Sequence, residues 1–207
     1  MRTLLATLLL LQASPLMAQA GGTLIVRRNG VEIGRERVAV QQGRGRGLTG
    51  TTLTVSAKYP ATAPTTQIGA RLERFPDGQL AAFQLDVEKP GGPVTILAAG
   101  AGARIVLKTI MRGSDAAQEV PGGRDIVLLD DHVYGLFTAV ADLATPAGTH
   151  MTAIYPRTGR RAAFVATKDG SRVTLSGEIA GTLTVDAAGR LTRLDLPADG
   201  VTAVLSE

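Results

Sequence analysis

Cysteine and tryptophan are absent from this chain, and histidine occurs only twice. Without cysteine there is no disulfide, no thiol nucleophile, no cysteine-ligated metal and no residue for a cysteine-linked lipid anchor. The core must hold itself by packing. Aromatic residues make up 3% of 207 positions, too few to line the stacking platforms of nucleic-acid-binding sheets. An excess of one charge is also missing. The formal net charge is +4, a value that serves solubility and is not the footprint of a nucleic-acid binder. Beyond Leu11 no apolar run approaches the roughly 18 residues of a membrane span, so the chain is not expected to span a membrane.

The one long apolar run sits at the start, in MRTLLATLLLLQASPLMAQA. Arg2 supplies a positive start, Leu4 to Leu11 an apolar core, Pro15 a helix break and Ala18-Gln19-Ala20 small residues for a signal peptidase. Residues 1–20 therefore read as a signal peptide, and residues 21–207 as a single β-rich half-barrel domain. Cleavage near Ala20 predicts a soluble, unanchored protein that is periplasmic or secreted.

Beyond residue 20 the apolar pattern has mostly a period of two. Leu24-Ile25-Val26 and Val31-Glu32-Ile33 flank Asn29-Gly30, a pair that accepts the positive φ of a type I′ turn, so 22–28 and 31–41 should pair antiparallel. GRGRG at 43–47 reads as a flexible connection. In 48–59, Leu53, Val55, Ala57 and Tyr59 alternate with Thr52, Thr54, Ser56 and Lys58, which describes a strand with one dry and one wet face. The same alternation runs through Ile68 to Leu72, Phe83 to Val87, Val94 to Ala98 and Ile105 to Thr109. Pro76-Asp77-Gly78 and Pro90-Gly91-Gly92-Pro93 make turns between them. Residues 113–123, polar and Gly-rich, read as a loop, and 125–129 as a short strand. After residue 148, strands at 149–155, 161–167, 171–179, 181–185, 190–196 and 201–205 alternate with turn sequences. One segment changes period. Val133, Leu136, Phe137, Val140 and Leu143 fall at helical spacing, with Asp130 or Asp131 at the start and Thr145-Pro146-Ala147-Gly148 at the end, predicting one helix over 131–143. About ten or more strands with tight turns argue a mainly β fold: a single curled antiparallel sheet, a half-open β-barrel, with one helix packed at its concave face.

No motif names a reaction. His132 and His150 match no zinc spacing, and H-E-x-x-H, G-x-S-x-G, S-x-x-K and the P-loop ending are absent. No metal and no cofactor is expected. Arg44, Arg46, Arg157, Arg160 and Arg161 form local basic spots; they read as solvated turns or as contacts for phosphate or an anionic headgroup. A loop-borne hydrolase would need His132 or His150 joined to a carboxylate in a deep polar cleft. What remains is the concave face. Its expected lining is Val55, Ala57, Tyr59, Leu72, Phe83, Leu85, Ile105 and Leu107 from the sheet, with Val133, Leu136, Phe137 and Val140 from the helix. The many small side chains leave two outcomes open there, a packed core or a pocket for a hydrophobic ligand.

The order of elements, closed by the hairpin Gly181-Thr182-Leu183-Thr184-Val185-Asp186-Ala187-Ala188-Gly189-Arg190-Leu191, resembles the periplasmic half-barrel proteins typified by LolA, LolB and the LppX-like lipid binders, and more nearly their uncharacterised relatives. The chain differs from the carriers in having one clear helix where they have several. The resemblance implies an acyl chain held between a curved sheet and its cover. The leading expectation is non-catalytic binding of a lipid or other hydrophobic molecule. The alternatives are a cell-envelope interaction or scaffold module with a filled core and a protein partner, and a loop-site hydrolase.

Overall fold

The computed structural model describes residues 20–206, so the expected signal peptide lies, Ala20 apart, outside the described residues. Gly21, the first residue of the expected mature chain, already pairs with Ala39. β1 (Ala20–Arg28) and β2 (Val31–Arg44) turn about Asn29 and Gly30, whose φ values of 50° and 82° are those a type I′ turn demands. β3 (Leu48–Tyr59), β4 (Thr66–Arg74), β5 (Leu80–Glu88), β6 (Val94–Ala101), β7 (Arg104–Met111) and β8 (Ser114–Pro121) continue as hairpins. Then come β9 (Ile126–Leu128), a 3₁₀ turn at Tyr134–Leu136 that runs into α1 (Phe137–Leu143), and β10 (Thr149–Tyr155). β11 (Arg160–Asp169), β12 (Arg172–Gly177), β13 (Gly181–Val185), β14 (Leu191–Leu196) and β15 (Val201–Ser206) complete the chain.

All 15 strands form one sheet, and β15 pairs with β1, which brings both ends of the described chain to its middle. The two edges are therefore β8 and β9, neighbours in sequence. Laid flat, a sheet of this width would separate its edges by roughly 65 Å. The link from Pro121 to Ile126 reaches at most about 18 Å. The sheet must curl, and it forms a nearly closed barrel. Across the seam, β9 packs beside β5, and Arg74 Nη2 donates to the Ile126 carbonyl at 3.4 Å.

Three local expectations are corrected. Residues 114–121 form a strand and not a loop. β8 is a sheet edge with only Val120 buried, so there was no dry face to impose alternation. The β9–β10 pair is parallel, unlike the antiparallel pairs elsewhere in the sheet, and it needs the long crossover that carries the helix. The helix itself is shorter than 131–143. Asp130 and Asp131 precede it, and only Asp142 among residues 137–143 is not buried.

That burial answers how the interior is used. Val55, Ala57, Tyr59, Leu72, Phe83, Leu85, Ile105, Leu107, Val133, Leu136, Phe137 and Val140 all belong to one buried core cluster. The helix and its leading turn plug the barrel, and at Gly135 the turn meets β2 and β3 without a gap. A Cβ on Gly135 would stand 2.6 Å from Val38 Cγ2 and 3.0 Å from Val55 Cγ2. Gly135→Ala is therefore expected to cost about 1–3 kcal/mol by overpacking, seen as a lower urea midpoint at unchanged slope. An unaltered midpoint would mean that β2 and β3 yield freely there.

Candidate functional site

The two ends of the barrel differ. Near one end the plug is tied to the wall by Glu36. This inward residue of β2 is fully buried, and its carboxylate accepts the Tyr59 hydroxyl at 2.6 Å, the Tyr134 N–H at 2.9 Å and the Gly135 N–H at 2.7 Å. It thus does the capping that Asp130 or Asp131 was expected to do, from a strand about 100 residues away in sequence. Burial raises its pKa from 4.5 to about 7, against the three hydrogen bonds, which lower it. Asp130, also buried, accepts two bonds from Arg157 and one from the His132 N–H. Arg160 pairs with Asp131 and lies over the Tyr155 ring at 3.5 Å. Asp130, Asp131, Tyr134, Tyr155 and Arg160 border a polar cavity of about 300 Å³ that Phe137 also touches.

Among the described residues neither histidine ring is bonded to a carboxylate. His132 Nδ1 faces the Arg157 guanidinium at 3.3 Å, and its ring stands edge-on to Tyr59. Burial and Arg157 lower its pKa. His150 shares a shallow depression with Asp125 and Ser176. However, His150 lies opposite Val165, which lies opposite Ser176, so one strand separates imidazole from hydroxyl. Two strand spacings are about 9–10 Å, far beyond hydrogen-bond reach.

At the other end lies the larger cavity, of about 1040 Å³. Its wall starts where β2 ends. A register shift at Gln42–Arg44 and a 3₁₀ turn at Gly45–Gly47, within the expected flexible connection, carry the chain over to Leu48. The opposite wall is the β4–β5 turn, Phe75-Pro76-Asp77-Gly78, closed by the Gly78 N–H bonding the Phe75 carbonyl at 2.9 Å. Arg124, Asp142 and Leu143 of α1, and the Ala188-Gly189 turn complete it. Leu48 and Phe75 are exposed, 51% and 38%, and Val40 is partly buried. Arg44 donates to the Thr49 carbonyl at 2.8 Å and stacks on Phe75 at 4.3 Å, which stiffens this rim. Arg74 is buried, its pKa pushed down to about 10 by desolvation. Asp142 opens onto the cavity, yet the surrounding walls desolvate it enough to raise its carboxyl, against Arg74 and Lys168.

None of the twelve expected lining residues borders this cavity, and Phe137 alone of them borders the 300 Å³ one. Arg74 and Glu36 were passed over although both carried a legible signal. Each is a charged residue in the inward phase of its strand, Arg74 in step with Ala70 and Leu72, Glu36 with Val38. Among the described residues no group of acids and histidines is arranged to hold a metal ion.

Fold and cavity together define a barrel-like β protein, plugged by a helix and open toward solvent at one end. No protein-family model and no curated protein matches the chain. Among solved structures it is similar to a β-barrel-like protein of the domain of unknown function DUF1849 from Brucella abortus. The TM-score is 0.50 at 13% identity, over 91% of this chain and 95% of that one. It is also similar to a DUF1089 family protein from Pseudomonas aeruginosa, at TM-score 0.46 and 18% identity, over 95% and 98%. The DUF1849 likeness concerns the fold alone and agrees with the barrel. It does not show the LolA, LolB and LppX resemblance read from the sequence.

Proposed function

We propose that the protein binds a hydrophobic or amphipathic small molecule without catalysing a reaction, in the periplasm or outside the cell. The site is the cavity at the Arg44 end of the barrel; where the leading turn of the helix meets β2 and β3, side chains leave no room for a ligand. The observation that carries this reading is the cavity itself. At about 1040 Å³ it has the size of a small-molecule site, with apolar walls at Val40, Leu48, Phe75 and Leu143 beside polar and charged groups that include Arg44, Arg74 and Arg124. The resemblance to lipid carriers and the signal peptide favour the same reading. We do not adopt the hydrolase alternative, because among the described residues neither histidine ring is bonded to a carboxylate. The interaction-module alternative draws on Leu97 and Val106, both exposed on the outer face of β6 and β7 near edge strand β8. We place it second because two such residues are a small patch.

The test uses residues 21–207, a neutral naphthylamine fluorophore and native mass spectrometry of the purified protein. Saturable fluorescence gain is expected. Leu48→Asp should weaken it at least about tenfold, since it places a charge on the apolar wall. Leu48 is half exposed, so the fold should survive. A protein that carries no extractable lipid and shows no saturable signal would refute the proposal.

A further inference from the structure

We infer that the cavity selects an amphiphile with an oxyanion head, a carboxylate or a phosphate ester, which Arg74 and Arg124 receive at the β4–β5 turn. This rests on the binding reading above and names the ligand's chemical class. Arg74 is 4% exposed. Its guanidinium donates to the Gly78 carbonyl and, at 3.4 Å, to that of Ile126, while its Nε has no partner. Among the described residues no carboxylate lies within ion-pair distance of it. A buried cation served by two carbonyls and no anion is an incomplete arrangement, because carbonyl dipoles do not replace a countercharge.

A second guanidinium converges on the same turn. Arg124 Nε lies 3.3 Å from the point a Cβ on Gly78 would occupy, so Gly78 has Arg74 at its carbonyl and Arg124 beside its α-carbon. A Cβ there would also stand 3.0 Å from Leu143 Cδ2, so the turn, Arg124 and the helix end meet closely at this glycine. Unlike the buried Arg74, Arg124 is exposed and accessible from the cavity.

Among the described residues no acid forms an ion pair with either guanidinium. Both Asp77 oxygens are occupied by Gln79, one by its N–H at 3.0 Å and one by its side-chain amide at 3.1 Å. Asp142 faces Arg74 without an ion pair; desolvation by the cavity walls raises its carboxyl, against the charges of Arg74 and Lys168. The cavity wall thus carries Arg44, Arg74 and Arg124 against Asp77 and Asp142, and Arg74 and Arg124 meet at Gly78. Two planar guanidiniums suit a carboxylate or phosphate, which accept several N–H donors at once. An alkyl tail leaving that head runs along Leu48, Phe75 and Leu143.

The test is displacement of the neutral fluorophore by ligands that share one tail: decanoate, decyl phosphate, decanol and decyltrimethylammonium, with inorganic phosphate and acetate as heads without a tail. Decanoate and decyl phosphate should displace it at concentrations at least about tenfold below decanol, with decyltrimethylammonium the weakest. Arg124→Gln should remove most of that advantage and leave decanol unchanged, and Asp142→Asn should enlarge it. Arg74→Gln should remove it too. If that variant melts early from loss of the seam contact, Arg124→Gln and Asp142→Asn carry the test. Equal potency of decanol and decyl phosphate, or an anion preference unmoved by both of those variants, overturns the inference and leaves the binding reading standing. Inorganic phosphate as potent as decyl phosphate supports the oxyanion site and overturns the hydrophobic reading. No fluorophore uptake at all overturns both.

Discussion

Arg157→Met is expected to destabilise the protein by about 3–5 kcal/mol, because it strands Asp130 as a buried carboxylate without its cation. The Asp130 side chain is 2% exposed and that of Arg157 23%. The pair therefore lies outside the class of surface ion pairs, which contribute about 1 kcal/mol or less. Arg157 Nε and Nη2 engage both carboxylate oxygens, and the remaining bond to Asp130 comes from the His132 N–H. The damage is expected to come from the orphaned charge more than from the lost attraction. Adding Asp130→Asn to Arg157→Met should then recover most of the loss, since Asn still accepts the His132 N–H and carries no charge. Urea unfolding of the two single variants and the double gives the coupling directly. A cost below about 1 kcal/mol for Arg157→Met, or a double variant less stable than either single, would contradict this account.

The second large effect concerns pH. Glu36 has a folded-state pKa of about 7 against an ordinary 4.5, so the folded protein holds this proton over a range where the unfolded chain has lost it. Its contribution is fully present below pH 4.5 and is lost as the pH rises through about 7, a fall of about 3 kcal/mol. Asp142, also raised, acts in the same direction. His132, lowered, acts in the opposite one: the unfolded chain takes up its proton first as pH drops, so its contribution grows with pH. The net slope mixes the three, and the difference between wild type and Glu36→Gln isolates one. The wild-type urea midpoint should fall across that interval relative to Glu36→Gln, whose midpoint should be flatter. Parallel curves for the two proteins would show that Glu36 does not titrate there. At neutral pH two effects oppose each other. Gln removes a costly buried charge but offers one acceptor oxygen where the carboxylate offers two, and Tyr134, Gly135 and Tyr59 all donate to that site.

Much of the barrel was legible because most of its strands have one dry and one wet face. Leu53, Val55, Ala57 and Tyr59 are buried and Thr54, Ser56 and Lys58 exposed, but Thr52, expected on the wet face, is buried and donates to the Gly43 carbonyl. The Asn29-Gly30 turn carried its own geometry. β8 was not legible, because an edge strand with a single buried side chain leaves no period to detect. The helix was legible as a helix but not in extent, because its role is to fill a barrel, which buries nearly all of its faces. The candidate site fared worst. Alternation identifies which side chains point inward, and the twelve chosen residues do point inward. It carries no information on whether the space they enter is filled.

Local patterns along the chain specify most of the strands and turns, the presence of one helix and the dry face of the sheet, since each depends on residues close together in sequence. Only the tertiary structure decided that the helix leaves no gap against β2 and β3, and that the open space lies at the barrel's end. It also decided that Arg74 and Arg124, 50 positions apart, meet at one glycine, and that Glu36 caps a helix about 100 residues downstream. Packing density and pairing of charges depend on which distant segments a curled sheet brings together. In this fold that is set by a short link between its first and last edges, a constraint no local pattern records.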